Sequence, residues 1–327
     1  MKLRFGLAGL GYFGKHYARL LQHMEEVELG AVVVHGDKEI PDLKSSVKRY
    51  ADAGELFGDR EIDCVVIATP PSTHAAFAIA ALEQGKHVLL EKPMATSVQE
   101  AEQIVLAAKK QHRTLMIGHQ YCYNDYVRHL KEELDNKSLG DVGYLFAQHL
   151  YAGPVRLDIG CFWETATHEL SIIDYLFSRP KLVKATGQML DMSRSGRDDF
   201  AACVLTFDNG LVATITTTWF APEKSRRMIL GGTHGMALFD EKEAHHLTMY
   251  SHEYPKQESP EPHTSHFFQI SEEEKRIPDV NAHEPLKNQV EHFIDCVVNG
   301  NIPLTDGEHG LRITRMLDEI TTSMTSS

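Results

Sequence analysis

No stretch of this chain is apolar for long enough to cross a membrane. The longest uncharged apolar run, Ala75–Leu82, has eight residues, against the ~20 that a spanning helix needs. Blocks of Lys and Arg are missing as well. The 33 basic and 46 acidic residues leave a formal net charge of −13, and an acidic chain without a basic cluster has no electrostatic footprint for duplex nucleic acid or anionic lipid. Cysteines are few: five, at positions 64, 122, 161, 203 and 296, with no C-x-x-C pair. An odd number lying partly in apolar runs suits buried, reduced thiols rather than a disulfide framework or a zinc site. The 19 histidines include no H-x-x-x-H or H-E-x-x-H pair, so no metal site is expected. The opening residues Met-Lys-Leu-Arg-Phe-Gly carry no apolar export core with a small-residue cleavage site, and a cytoplasmic location is expected.

What remains is the composition of a folded protein: 327 residues, 42% hydrophobic and 24% charged. That length predicts two domains. In the first half, apolar runs read as strands (Leu3 to Ala8, Val27 to His35, Asp63 to Ala68, His87 to Leu90, Thr114 to Ile117) and alternate with helical patterns (Lys15 to Met24, an Ala-rich stretch ending at Gln84, Val98 to Gln111). Strands that are apolar throughout and alternate with helices predict a parallel sheet covered on both faces. Near Gly118 the pattern changes to mainly strands, with helices near 125–136 and 164–177 and two amphipathic helices near 286–298 and 308–322. Asp208-Asn209-Gly210 between two strand-like runs predicts a hairpin. The stretch 251–283 is polar and rich in Pro, Glu and His, and is expected to form strand ends and a long surface loop. The fold expected is α/β. Residues 1–120 form a Rossmann dinucleotide-binding domain. Residues 121–327 form an α+β domain with a large open mixed or antiparallel sheet, and its closing helices are free to pack back on the first domain.

Four motifs carry chemistry. Gly9-x-Gly11-x-x-Gly14 follows a strand and opens a helix, the context in which the glycines permit a tight turn, close approach of a pyrophosphate and close helix packing. Tyr12 and Phe13 lie inside this turn. An acidic residue ~20 positions on would bind the adenosine ribose. Asp37 can do so, with His35 at the tidier position, or it is a solvated turn residue. No Arg adjoins it to hold a 2′-phosphate, which favours NAD, with NADP as the alternative cofactor. Thr69-Pro70-Pro71-Ser72-Thr73-His74 follows a buried strand, where ligands of open parallel sheets bind. It reads equally as a rigid turn with Ser72 or Thr73 capping the next helix. Glu91-Lys92-Pro93 follows another buried strand. Partial burial lowers a lysine pKa, so Lys92 can serve in proton transfer, or Lys92 and Glu91 can form an ion pair at the sheet edge. In Trp163-Glu164-Thr165-Ala166-Thr167-His168, Glu164 and His168 stand at i and i+4, where a carboxylate can orient an imidazole for acid–base work. A solvated surface pair has the same spacing.

Together the motifs resemble one family, the glucose-fructose oxidoreductase / inositol dehydrogenase / MocA oxidoreductases. The resemblance rests on the turn at 9–14, Ala-Thr-Pro-Pro-x-x-His at 68–74, Gly85-Lys86-His87-Val88-x-x-Glu91-Lys92-Pro93, the helix carrying His168, Glu284-Pro285-Leu286 and Pro303-Leu304-Thr305-Asp306-Gly307-Glu308. It implies Lys92 and His168 as the catalytic pair. It places Thr69, Pro70, Pro71, His74, Glu91 and Lys92 near the nicotinamide end. It also implies a second domain that assembles homodimers or homotetramers. Glu164 stands where the family often has Asp, and Ala166 where Gly is frequent, so the reach of the carboxylate differs. Gly118-His119-x-Tyr121-x-Tyr123-Asn124 and the 163–172 stretch are similar to the branch that oxidises nucleotide-linked sugars such as UDP-N-acetylglucosaminuronate at the 3-position. The activity expected is NAD(P)-dependent hydride transfer at a carbinol carbon of a sugar, polyol or nucleotide-sugar. The alternatives are internal redox with tightly held NAD, as in epimerisation or glycoside cleavage, and a non-catalytic cofactor-binding regulator. Tyr123, Asn124, Arg156 and Trp163 are the substrate-side candidates. Arg156 is chosen for its forked donor, with a plain surface Arg as its other reading.

Overall fold

Strands buried on both faces need few polar side chains, and in the first sheet these are Arg4, Glu28, His87 and the edge strand at 48–50. The computed structural model describes residues 2–34, 43–252 and 274–325. In the first unit six strands, β1 (Leu3–Ala8), β2 (Val27–Val33), β3 (Lys48–Tyr50), β4 (Cys64–Ile67), β5 (His87–Leu90) and β6 (Leu115–Ile117), lie in the order β3-β2-β1-β4-β5-β6. Every recorded pairing among them is parallel. Cys64, Val65, Val66 and Ile67 have no exposed surface at all. Helices α1 (Tyr12–His23), α2 (Ala53–Gly58), α3 (His74–Glu83) and α4 (Val98–Gln111) cross over between the strands. The strand order reverses direction at β1 and β4, which makes the carboxyl ends of those strands the place where a crevice opens. The parallel α/β domain expected from the sequence is present.

The chain leaves this unit after Tyr123 and rejoins it from His283 to Asp318. Helix α7 (Pro285–Asn299) and most of α8 (Gly307–Thr325) are therefore grouped with the first unit, although the sequence places them in the second domain. Phe293 of α7 meets Phe5 edge-on at 6.0 Å, and Gln289 reaches the Tyr17 hydroxyl at 2.8 Å.

The second unit carries α5 (Asp125–Asp135), α6 (Thr167–Leu176) and eight strands: β7 (Val142–Ala152), β8 (Leu182–Leu190), β9 (Phe200–Phe207), β10 (Val212–Thr218), β11 (Phe220–Gly232), β12 (Gly235–Asp240), β13 (Leu247–Ser251) and β14 (Lys275–Arg276). Their order is β14-β13-β12-β11-β7-β10-β9-β8. The β7–β10 pairing is parallel and the other recorded pairings are antiparallel, so the sheet is mixed as expected. Gly210 (φ +87°) closes the hairpin between β9 and β10, with its N–H on Phe207 O at 3.1 Å. One face, with Leu145, Ala147, Leu205, Ala213 and Ile215, is buried.

Three elements escape the sequence pattern. β3 is a short, charged edge strand, α2 is a single short helix, and β13 sits in polar surroundings. The expected loop over 251–283 falls largely at 253–273, outside the described residues. Among the described residues no helix is long and apolar enough to cross a membrane.

Candidate active site

The turn after β1 is built from steric constraint. Gly9 has φ +97°, and a Cβ there would lie 2.5 Å from Ala68 O. A Cβ on Gly14 would lie 1.9 Å from Gly9 O. Gly11 differs: a Cβ there would meet nothing within 4 Å. Gly9 and Gly14 serve the packing of loop, strand and helix. Gly11 faces open space at the N-terminus of α1, whose first turn has no acidic residue and whose cap offers no side-chain hydrogen bond. Backbone N–H groups left this way, with the positive end of the helix dipole, fit an anionic pyrophosphate. Tyr12 stands 78% exposed beside the turn, its ring edge-on to half-buried Phe13 at 5.5 Å. His35 and Asp37 lie outside the described residues.

The loops after β4 and β5 are joined by one side chain. His74 is fully buried. Its Nδ1 lies 2.8 Å from Pro93 O and its Nε2 2.9 Å from Thr69 O. Thr73 donates its hydroxyl to Pro70 O at 2.7 Å, so the Thr69 hydroxyl, 2.7 Å away, donates to Thr73. The expected cap of α3 by Thr73 is therefore not made, and Thr73 closes the loop instead. Pro71 is buried and Pro70 exposed.

Glu91 and Lys92 part ways. The Glu91 carboxylate is buried. It accepts from the Tyr17 hydroxyl at 2.7 Å and from the Lys92 backbone N–H at 3.1 Å. Burial pushes the Glu91 carboxyl above the ordinary glutamate range and the Tyr17 phenol well above its own. Gln289 Nε2 donates to that phenol. Glu91 is thus an internal strut that ties β5 to α1 and α7, with both oxygens engaged by protein. Lys92 is half-buried at the end of β5, and its bond to Pro93 is cis.

In the second unit the helix expected over 164–177 begins differently. Residues Phe162–Ala166 form a π-helical turn before α6 starts at Thr167. Asp198 binds the start of this turn: its Oδ2 accepts from Phe162 N at 2.7 Å and its backbone O from Cys161 N at 2.8 Å. Glu164 lies in that π turn and His168 in the first turn of α6. The Glu164 carboxylate accepts from Trp219 Nε1 at 3.1 Å, and from the Tyr151 hydroxyl on the same oxygen. The buried His168 ring stacks on His149, centroids 5.6 Å apart and planes 16° apart. His149 Nδ1 lies 2.9 Å from Glu169 Oε1.

The substrate-side candidates each have a partner within the protein. Tyr123 is fully buried and its hydroxyl bonds to Thr305 Oγ1 at 2.9 Å. That makes it a core residue. Asn124 caps α5, its Oδ1 accepting from Tyr126 N and Val127 N. Arg156 closes its fork on Asp158, at 2.9 and 2.6 Å, and holds that carboxyl below the usual range. A fork engaged by its neighbour is not a ready donor for a substrate anion. Trp163 donates Nε1 to Thr321 Oγ1 at 3.0 Å.

Sequence reasoning missed His149, Tyr151, Glu169 and Trp219. A signal was present for two of them. His149 and Tyr151 continue the inward row of β7 after Leu145 and Ala147, and polar side chains on a buried face are the informative exceptions.

Comparison with known proteins bears on this site. A family model described as "Oxidoreductase family, NAD-binding Rossmann fold" matches residues 3–119. A second, "GFO/IDH/MocA C-terminal domain", matches residues 127–238. An uncharacterized oxidoreductase of Streptococcus pneumoniae is 34% identical over 142 residues, a match covering 43% of this chain and only 39% of that protein. Myo-inositol 2-dehydrogenase of Thermotoga maritima is 25% identical over 252 residues, covering 73% of both chains. UDP-N-acetylglucosamine 3-dehydrogenase of Acidithiobacillus ferrooxidans is 28% identical over 228 residues, covering 69% of this chain and 70% of that one. A solved structure of that enzyme superposes with a TM-score of 0.81 over 100% of this chain and 99% of its own, at 22% identity, a likeness of fold.

Proposed function

Since the chain belongs to the GFO/IDH/MocA oxidoreductase family, we propose that it moves a hydride between a nicotinamide dinucleotide and a carbinol carbon of a sugar, polyol or nucleotide-sugar. The observation that carries the reading is the glycine turn at the reversal of strand order, with Gly11 facing open space and Lys92 at the end of the next strand but one. The bound dinucleotide supplies the hydride acceptor or donor. Gly9, Gly11 and Gly14 with the α1 N-terminus hold its pyrophosphate, and the loops carrying Thr69, Pro71, His74 and Lys92 frame its reactive end. Lys92 and His168 manage the hydroxyl proton, one taking it and the other holding the oxygen on which charge develops. Glu164 is the counterpart of the family's Asp.

NAD is the preferred cofactor, since Asp37 suits a free ribose hydroxyl and no Arg adjoins it. The two dehydrogenases named above act on inositol and on UDP-N-acetylglucosamine, which sets the substrate class proposed for this chain. Five buried thiols outside any disulfide agree with a reducing cytoplasm. Assembly into a homodimer or homotetramer is part of the same reading.

The test begins with thermal shifts for NAD, NADP, myo-inositol, free sugars and UDP-sugars; a ligand at ~100 times its Kd stabilises by ~2.7 kcal/mol. Turnover of the hits is followed by NADH absorbance. Lys92→Met and His168→Ala should each lower kcat ~10²–10⁴-fold, with NAD affinity little changed. The double variant should lose less than the product, because both groups act on one proton. Folded variants that turn over at the wild-type rate would overturn the reading.

A further inference from the structure

The segment around His168 is held by two side chains of β7 that share one face. His149 bonds Glu169, and Tyr151 bonds Glu164. The two carboxylates flank His168 in the chain. The His149 ring meets Tyr151 at 5.9 Å and 59°, and stacks on His168 at 5.6 Å and 16°. β7 thus serves as a template for the start of α6.

We infer that His149, itself fixed by Glu169, is a positioning residue that sets the plane of the His168 imidazole. The inference rests on the reading of His168 as a proton-managing group.

Three observations support it. First, the last torsion of a histidine side chain is soft and roughly two-fold, so something must choose the ring plane if proton transfer is to be directional. A stacked ring does this without occupying either nitrogen of His168. A hydrogen-bonded orienter would take one of them. Second, the His149 plane is itself determined, because its Nδ1 is bonded to Glu169 Oε1 at 2.9 Å. Third, the arrangement is costly as mere packing. His149 and Glu169 are 2% and 9% exposed at their side chains, and among the described residues Glu169 Oε2 has no hydrogen-bond partner. A buried hydrogen-bonded polar pair of this kind is often matched in stability by apolar residues of similar shape. Core filling alone does not call for it at the inner end of a row that begins Leu145, Ala147. The bond between the pair also explains why Glu169 tolerates its depth: a carboxylate there needs a donor.

The experiment compares two replacements that fill the same space in the full-length protein. His149→Phe keeps a flat ring, and His149→Leu does not. Both lose the bond to Glu169 equally, so their difference isolates the stack. Each is also made with Glu169→Gln, which removes the buried carboxyl group and keeps the comparison open if a single variant fails to fold. The first readout is the histidine ring NMR spectrum, with His168 signals identified by their loss in His168→Ala. The stack predicts ring-current-shifted His168 signals that are largely retained in His149→Phe and move towards free-histidine positions in His149→Leu. The second readout is turnover with NAD and whichever of myo-inositol and UDP-N-acetylglucosamine is oxidised. A ring released from its plane should lower kcat ~10–100-fold in His149→Leu, with KM and NAD affinity within about threefold and most of the rate restored in His149→Phe. His168 signals that do not differ between the two variants would overturn the inference, as would equal kcat values. If His168→Ala keeps full activity, the catalytic reading fails, while the spectra still decide whether His149 orients the ring.

Discussion

His74 and Pro93 are tied by a buried hydrogen bond, Nδ1 to carbonyl O at 2.8 Å, and the same imidazole reaches Thr69 O at 2.9 Å on its other side. Both acceptors are carbonyl oxygens, so a hydrogen on each ring nitrogen satisfies the pair and a neutral ring satisfies one. The ring links the loops after β4 and β5, one peptide away from Lys92. His74→Ala removes both bonds and is expected to lower stability by about 1–3 kcal/mol. It should also lower kcat by loosening the Lys92 loop. Denaturant unfolding beside NAD turnover checks this, and an unchanged unfolding midpoint would refute the bridging role.

The three glycines of the first turn should respond differently to one added methyl group. Gly14→Ala puts a Cβ 1.9 Å from Gly9 O and Gly9→Ala one 2.5 Å from Ala68 O, and both collide with backbone. These variants should fold poorly or lose several kcal/mol. Gly11→Ala meets nothing within 4 Å, so its Tm should stay close to wild type while NAD affinity falls at least tenfold. Titration of NAD into folded Gly11→Ala distinguishes a cofactor cradle from a plain turn, for which affinity would not move.

Glu91 gives the protein a pH-dependent term of known sign. Its folded-state pKa is raised, with burial as the largest cause, above the ~4.3 of an unfolded chain. Between those values the folded state binds the extra proton, so stability falls as pH rises through that window and levels off above the folded-state pKa. Glu91→Gln keeps an acceptor for Tyr17 and has no proton to lose. Its stability relative to wild type should therefore climb as pH rises from about 4.3. Urea unfolding of both proteins across this range measures the gap, and a gap independent of pH would exclude the effect.

The outer face of the second sheet is the expected contact between copies. Tyr144 pairs with Val212, and Phe146 with Thr214, which pairs with Val204 on its other side. Tyr144, Phe146 and Val204 are 46%, 38% and 44% exposed. Apolar side chains gathered on one strand face mark an association surface. Phe146→Lys with Val204→Lys should give a monomer by light scattering at micromolar concentration with little change in monomer stability. A monomeric wild type would remove the proposal.

Much of the first unit was legible in the residues. Its inner strands are largely apolar because helices cover both faces, and the glycine turn at 9–14 has a spacing dictated by backbone contact. Asp208-Asn209-Gly210 is legible for the same local reason, since only a glycine takes φ +87° there without strain. The charged edge strand Lys48–Tyr50 is different. Half-exposed and three residues long, it has no apolar alternation, and β2 beside it makes it a strand. The proposed catalytic surroundings depended on tertiary structure still more. Helical spacing matched Glu164 to His168, while the turn that carries Glu164 is a π helix whose first N–H groups, of Cys161 and Phe162, bond to Asp198, 34 positions after Glu164 in the chain. Arg156 had the fork for an anion, and a loop conformation gave it Asp158. His149 and Glu169 are 20 residues apart, and nothing in either neighbourhood marks them as partners. Their meeting, and the stacking of His149 on His168, depends on how β7 lies against α6, a relation set by long-range packing. Local sequence determines which backbone shapes are permitted. Which polar groups share a buried site follows only when distant elements are packed together.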